Sequence, residues 1–187
     1  FGQREFTWNK IRQFNRNPLL ISLDGADGFK TGYTKEGGYG LVGSAVQNGT
    51  RLIVVVNGVE DAGSRASEAK KLLEWGFRNF ETRTVFAPEA AIGHAKVFGG
   101  TSSSVGLVSK EPVTVMIRRN GSDKLLARII YDGPVRAPFG TGERVGVIRV
   151  MRNGNVAVEV PLFAAEAVAR GSTMQRAVDG ATELLVG

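Results

Sequence analysis

Asn48-Gly49 stands between two apolar runs, and no other feature of the 187-residue chain narrows its fold so sharply. Both residues tolerate positive φ. Flanked by strand-forming sequence, they predict a tight hairpin, because the primed two-residue turns match the right-handed twist of the strands they join. The turn organises its surroundings. A strand from Arg51 to Asn57 follows it, and a strand from about Tyr39 to Val46 precedes it. Gly37 and Gly38 turn the chain into that strand from an earlier one, Gly28 to Tyr33. The three predict an antiparallel meander. Leu52 to Val56, the longest aliphatic run, reads as a buried strand. No apolar run approaches the roughly 20 residues that a membrane-crossing helix needs.

A helix is predicted next, from Ser64 to Phe80. Ala69, Leu72, Leu73, Gly76, Phe77 and Phe80 fall at i, i+3, i+4, i+7, i+8 and i+11, which places them on one face and that face on the sheet. Gly76 costs about 1 kcal/mol of helix propensity, so close approach to the sheet is the reason expected for it. Before the meander, Asn15-Arg16-Asn17-Pro18 marks a loop or turn in a polar and aromatic stretch. After Thr82 the pattern changes to short alternating runs, punctuated by Asn120-Gly121, Asp132-Gly133-Pro134 and Asn153-Gly154. Strands at this rhythm suggest a small antiparallel sandwich or barrel. Ser172 and Gln175 then form an S-x-x-Q capping box. Behind it, Met174, Ala177, Val178, Ala181, Leu184 and Leu185 make an apolar stripe. The fold class expected is α+β: a sheet with a packed helix over 1–82, an all-β domain over 83–170, and an amphipathic helix over 171–187.

Composition excludes several chemistries. There is no cysteine, so disulfides, thiolate zinc sites and cysteine nucleophiles are absent. One histidine, His94, leaves little room for a histidine metal site or a Ser-His-Asp triad, and it reads as structural or solvent-facing. No metal or cofactor is expected. Trp8 and Trp75 are expected in the core or at its boundary, and Glu36, Glu68 and Glu74 in solvent. The net charge is +6, and nine basic residues against four acidic ones fall between Lys110 and Arg152. Such a stretch reads first as a solvated strand surface, and as a face that can meet nucleic acid, anionic lipid or an anionic polymer. It lacks the interleaved aromatic residues on which single strands stack, so nucleic acid is not the expected partner.

Lys30-Thr31-Gly32, on the first strand of the meander, is the motif that carries chemistry. An ammonium and a hydroxyl on one strand can hold a carboxylate, and Gly32 lets that group approach the backbone. The N–H of Tyr33 can serve as one of two oxyanion donors, a role whose loss typically costs ~2.7–4 kcal/mol of barrier lowering. The tripeptide alone is weak; its company is not. Asn15-Arg16-Asn17-x-Leu19-Leu20, Asp27-Gly28-Phe29-Lys30-Thr31-Gly32-Tyr33-Thr34, Gly38-Tyr39-x-Leu41-Val42-x-Ser44-Ala45, Arg51-Leu52-Ile53 and Arg65-x-x-Glu68-x-Lys70-Lys71-Leu72-Leu73-x-Trp75-Gly76-Phe77 follow in that order. This run resembles the low-molecular-mass penicillin-binding proteins, the serine-type D-alanyl-D-alanine carboxypeptidases of bacterial cell-wall maturation. The likeness covers about residues 1–82 and extends more weakly to 83–170.

The resemblance implies part of a DD-peptidase/β-lactamase-like domain, followed by the family's accessory β-domain and the start of its membrane-surface anchor. It implies acyl transfer: a serine attacks the D-Ala-D-Ala bond of a peptidoglycan stem peptide, D-alanine leaves, water releases the acyl group, and β-lactams trap the same serine. Lys30 and Thr31 would bind the terminal carboxylate, Gly32 would give it room, and Tyr33 would donate its N–H. Arg65 would support the carboxylate through paired donors, with Arg16 a weaker candidate. The location implied is the periplasm, peripheral to the inner membrane.

One departure matters. In this family S-x-x-K and then S-x-N precede K-T-G, and neither precedes Lys30 here. Ser67-Glu68-Ala69-Lys70 has the S-x-x-K spacing but follows K-T-G and falls within the predicted helix, so it reads as a surface turn. The chain is therefore expected to be the C-terminal portion of a longer enzyme, inactive without its nucleophile. The apolar face that the absent half would cover favours self-association. The rival reading is a non-catalytic envelope binding or spacer module. The terminal helix has two readings, a membrane-surface anchor and packing on the β-domain.

Overall fold

The computed structural model describes the backbone of residues 1–186 and the side chains of residues 1–184. Leu185 of the predicted stripe and Gly187 thus lie outside the described side chains. The architecture is α+β, strands predominating, and it divides into two compact units.

The first unit holds residues 1–82 and 118–121. It begins with a hairpin that the sequence did not announce, β1 (Glu5–Trp8) and β2 (Ile11–Phe14), joined through Asn9 and Lys10, both at positive φ. Asn-Lys is a poor turn signature, and the strands show no alternation of burial, every residue in them being exposed. Trp8 is accordingly in solvent, as is much of Trp75, against the expectation that large aromatics pack.

A one-turn helix, α1 (Leu19–Ser22), leads into β3 (Ala26–Thr34), β4 (Gly38–Gln47) and β5 (Thr50–Val59), the antiparallel meander. Its central turn places Asn48 at φ 49° and Gly49 at φ 75°, the left-handed pair that the Asn-Gly signature requires. Thr31 pairs with Leu41 and Leu41 with Val56, all on one face; Lys30 pairs with Val42 and Val42 with Val55, all on the other. The aliphatic run over Leu52–Val56 therefore alternates. Val54 and Val56 are buried, while Ile53 and Val55 are 58% and 68% exposed. This strand is half-buried, not buried: a period of two sends alternate side chains to opposite faces whatever their polarity.

α2 (Ala62–Asn79) covers the Leu41 face. Asp61 caps it, its Oδ1 accepting from the N–H groups of Gly63 (2.7 Å) and Ser64 (2.9 Å). The Ser64 hydroxyl, which donates to Asp61 Oδ2, and then these N–H groups hold the Asp61 carboxyl below the ordinary carboxylate range. Ala69, Leu73, Gly76 and Phe77 are buried against Leu19 and Leu23 of α1 and Leu41, Ala45, Val54 and Val56 of the sheet. Leu72 points half into solvent, and Phe80 opens the next strand, so the buried stripe is narrower than its spacing predicts. A Cβ at Gly76 would sit 2.6 Å from Leu52 Cδ1, which is the close approach its glycine was expected to allow. Arg119 fastens the 118–121 segment to the C-terminal end of α2: its N–H donates to the Asn79 carbonyl, and its Nε to that of Phe77.

The second unit holds residues 83–117 and 122–187. Its strands, with β6 starting in the first unit, are β6 (Phe80–Phe86), β7 (Gly93–Phe98), β8 (Ser104–Val108), β9 (Val113–Arg118), β10 (Leu125–Tyr131), β11 (Val135–Arg136), β12 (Arg144–Arg152) and β13 (Asn155–Ala164). Six form one sheet in the order β10-β12-β13-β8-β7-β11, and β6 pairs with β9. Val113, Val115 and Ile117 of β9 pack with Val105, Leu107, Ile148, Val150 and Leu162 of the large sheet in one buried cluster, layer on layer. Asn153 and Gly154, at φ 52° and 87°, make the β12–β13 turn.

α3 (Thr173–Val186) starts with the reciprocal capping box: the Ser172 N–H donates to Gln175 Oε1 (2.8 Å), and the Gln175 N–H to Ser172 Oγ (3.2 Å). It docks by its polar side. The Gly99 N–H donates to Asp179 Oδ2 (2.7 Å), and Lys96 Nζ lies 3.3 Å from Glu183 Oε2. Met174, Val178 and Leu184 face solvent. Packing of the apolar stripe on the β-domain is thus not what the helix does. Asp179 and Glu183, one turn apart, fix the opposite side of the helix to β7 and the residue that follows it.

Candidate functional site

β3 is an outer strand of its sheet, so one of its edges keeps backbone groups free of a ladder partner within that sheet. Lys30, Thr31, Gly32 and Tyr33 lie along it. The strand's alternation puts the Thr31 side chain on the α2-facing side, where it is buried, and Lys30 on the opposite side, where it is exposed. Lys30 folds along the strand and donates from Nζ to the Thr31 carbonyl at 2.7 Å. A Cβ at Gly32 would meet nothing within 4 Å. No neighbour inside the described chain requires a glycine there.

Arg65, at the start of α2, reaches this strand. Its Nη1 donates to the Gly32 carbonyl at 3.4 Å, and its guanidinium lies 5.6 Å from the centre of the Tyr39 ring. Its Nε is buried with no hydrogen-bond partner among the described residues. Tyr39 is the cross-strand partner of Tyr33, with ring centres 4.4 Å apart. Tyr39 was not singled out from sequence. The signal was available, since the Gly37-Gly38 turn sets the register that puts the two tyrosines opposite each other.

The structure thus brings Arg65 to the Gly32 carbonyl of the strand that carries Lys30, Thr31 and Tyr33, with the Lys30 side chain on the opposite face. Arg16 is not among them. It is exposed in the turn before α1 and makes no hydrogen bond or ion pair to β3 among the described residues. Its neighbours do the structural work of that turn. Asn15 Nδ2 donates to the carbonyls of Phe1 (2.9 Å) and Gln3 (3.0 Å), and the buried Asn17 accepts from the Leu19 N–H (3.1 Å). A second feature missed from sequence is a polar cluster at the other end of β3. Arg51 Nη1 lies 2.8 Å from Asp27 Oδ2 and donates to the fully buried Ser44 Oγ at 2.6 Å. The Ser44 hydroxyl, then Arg51, hold the Asp27 carboxyl below the usual carboxylate range.

Known proteins match this arrangement over most of its length. The family described as "D-alanyl-D-alanine carboxypeptidase" matches residues 2–61, and "Penicillin-binding protein 5, C-terminal domain" matches residues 80–170. The D-alanyl-D-alanine carboxypeptidase DacC of Escherichia coli (strain K12) is 42% identical over 179 residues, 95% of this chain and 45% of that protein. Penicillin binding protein 5 from Haemophilus influenzae superposes with a TM-score of 0.72 at 35% identity, covering 91% of this chain and 50% of that one. The chain belongs to the low-molecular-mass penicillin-binding proteins.

A PBP3 structure from Streptococcus pneumoniae, at 20% identity and a TM-score of 0.77, shares the fold. The chain spans less than half the length of the curated penicillin-binding relatives described above and their kin. No helix among its described residues is long and apolar enough to cross a membrane.

Proposed function

We propose that this chain supplies the substrate-carboxylate wall of a serine-type D-Ala-D-Ala carboxypeptidase that removes terminal D-alanine from peptidoglycan stem peptides. The reading rests chiefly on the reach of Arg65 to Gly32 within the K-T-G strand. Two fixed cations, Lys30 and Arg65, flank an edge strand whose glycine leaves open space. The guanidinium keeps a buried Nε without a hydrogen-bond partner among the described residues. A peptide ending in a carboxylate answers each of these: it brings acceptors for the cations, and it uses the free backbone groups of β3. The Thr31 hydroxyl would join the cations at that carboxylate. The Tyr33 N–H would donate to the oxyanion of the tetrahedral intermediate. Arg16 is left out of this assignment. The nucleophilic serine and its lysine base are assigned to the S-x-x-K segment that precedes K-T-G in this family and does not occur before Lys30.

In this reading residues 1–82 belong to the catalytic domain, residues 83–170 form the accessory β-domain, and the helix from 171 lies on the periplasmic membrane surface with Met174, Val178 and Leu184 toward the lipid. The exposed Ile53 and Val55 face would be covered in the complete enzyme, and in this chain by itself it favours self-association. Light scattering should show its mass rising with concentration; a constant monomer mass would remove that part.

The wall is tested in the complete enzyme. Arg65→Ala should lower kcat/KM for a D-Ala-D-Ala-terminated peptide by about 10–100-fold, the scale of one lost charge-assisted hydrogen bond. It should affect the same peptide with an amidated terminus far less. Equal loss on both peptides would show that Arg65 does not act on the carboxylate.

A further inference from the structure

The outward face of β10, β12 and β13 carries three parallel rows of side chains fixed by strand register. The first is apolar: Leu126 pairs with Met151, and Met151, past a register shift between Val150 and Met151, with Val156. The third is apolar: Ile130 pairs with Val147, and Val147 with Pro161. Between them runs a charged row in which Arg128 stands directly opposite Arg149, and Arg149 opposite Glu159. Glu159 Oε2 accepts from Arg149 Nε at 2.8 Å. Arg128 has neither an ion pair nor a hydrogen bond among the described residues, and like charges directly opposed on a sheet are unfavourable.

Among the described residues of the second unit, this face keeps its apolar side chains largely in solvent. Leu126, Ile130 and Val156 are 49%, 38% and 57% exposed. Folding alone gives no reason to set two arginines at directly paired positions between apolar rows. A carboxylate placed over the pair does, because it would neutralise the repulsion while aliphatic groups on either side bury the flanking rows.

The geometry points to a docking surface for an acidic amphipathic helix of a partner protein, its carboxylate on Arg128 and Arg149 and its aliphatic side chains on the Leu126 and Ile130 rows. Along β10 and β12 adjacent rows are about 6.6 Å apart, two residues at ~3.3 Å each. A helix advances about 6 Å over four residues, so an apolar-acidic-apolar series at every fourth position meets all three rows. Its backbone groups are satisfied internally, so the flat face needs to supply none. A glycan is the poorer fit, since the rows offer aliphatic groups and no aromatic ring.

The test uses the 187-residue chain labelled with nitrogen-15 and two synthetic 18-residue alanine-rich helical peptides. One carries Leu, Glu and Leu at successive fourth positions; the other has Gln in place of Glu. The Glu peptide should shift amides of β10, β12 and β13, with the Gln peptide at least tenfold weaker. Arg128→Gln, at an exposed site, should weaken the Glu peptide by about five- to tenfold and leave the Gln peptide unaffected, the rest of the spectrum reporting an intact fold. Equal binding of both peptides, shifts confined to other strands, or no shift at millimolar peptide would overturn the proposal. So would the same amides moving with protein concentration alone, which would make a second copy the occupant, or displacement of the peptide by soluble peptidoglycan fragments.

Discussion

Incubated with a fluorescent penicillin and run on a denaturing gel, the 187-residue chain should carry no covalent label, whereas the complete enzyme should label at its serine. Acylation needs a nucleophile, a base within hydrogen-bond reach of it, and donors aimed at the developing oxyanion. The chain offers Lys30, Thr31 and the Tyr33 N–H as part of the third requirement. Its only S-x-x-K, Ser67 to Lys70, sits on the exposed side of α2. Lys70 lies 3.7 Å from Glu74 and lines an open groove with Ile21, Asp24 and Phe77, next to α1. Ser67 is not among the residues that line that groove. The expected difference is complete: signal in one lane, none in the other. A labelled serine anywhere in this chain, located by peptide mass, would mean that the assignment of the nucleophile to an upstream segment is wrong.

The largest effect on stability is expected at Leu107. Its side chain is fully buried in the cluster that joins β9 to the large sheet. Leu107→Ala removes apolar surface and leaves a cavity that close-packed neighbours fill only in part, at a cost of about 2–5 kcal/mol. A domain of ordinary stability holds only ~5–15 kcal/mol in total. At roughly 4–8 °C per kcal/mol for a unit of this size, the melting transition should fall by about 10 °C or more. Hydrogen exchange should speed up first in β7 and β8. Leu126→Ala, on the outward face, removes the same atoms from a half-exposed site and should cost under about 1 kcal/mol. Thermal melts of the two variants that coincide would show that the β9 layer does not close over the sheet as described.

How much of this was legible beforehand differs by residue. Asn48-Gly49, Gly76 and the Ser172–Gln175 box announce backbone geometry locally, and each takes the form its chemistry requires. Ile53 and Val55 illustrate what pattern cannot give. An unbroken aliphatic run looks the same whether one face or both are covered, because burial depends on what lies across the sheet. The β1–β2 hairpin was missed for a related reason: its strands bury nothing, so they show no alternation. In the candidate site, Lys30, Thr31 and Gly32 could be placed on a strand from local sequence. The meeting of Arg65 with Gly32 spans 33 residues and depends on the meander bringing the start of α2 back over β3. Tyr39 follows from register, which the glycine turn sets but a motif search does not read. The polar docking of α3 was hidden because its partners, Lys96 and the Gly99 N–H, lie some 80 residues upstream.

That attachment of α3 separates two tasks usually assigned to one surface. Its grip on β7 is ionic and dipolar, so it loosens in concentrated electrolyte. The side left bare is oily, and oil-seeking contact strengthens under the same conditions. Raising ionic strength should therefore push the two sides of one helix in opposite directions, and entering a lipid headgroup layer would not require the helix to let go of the domain that holds it.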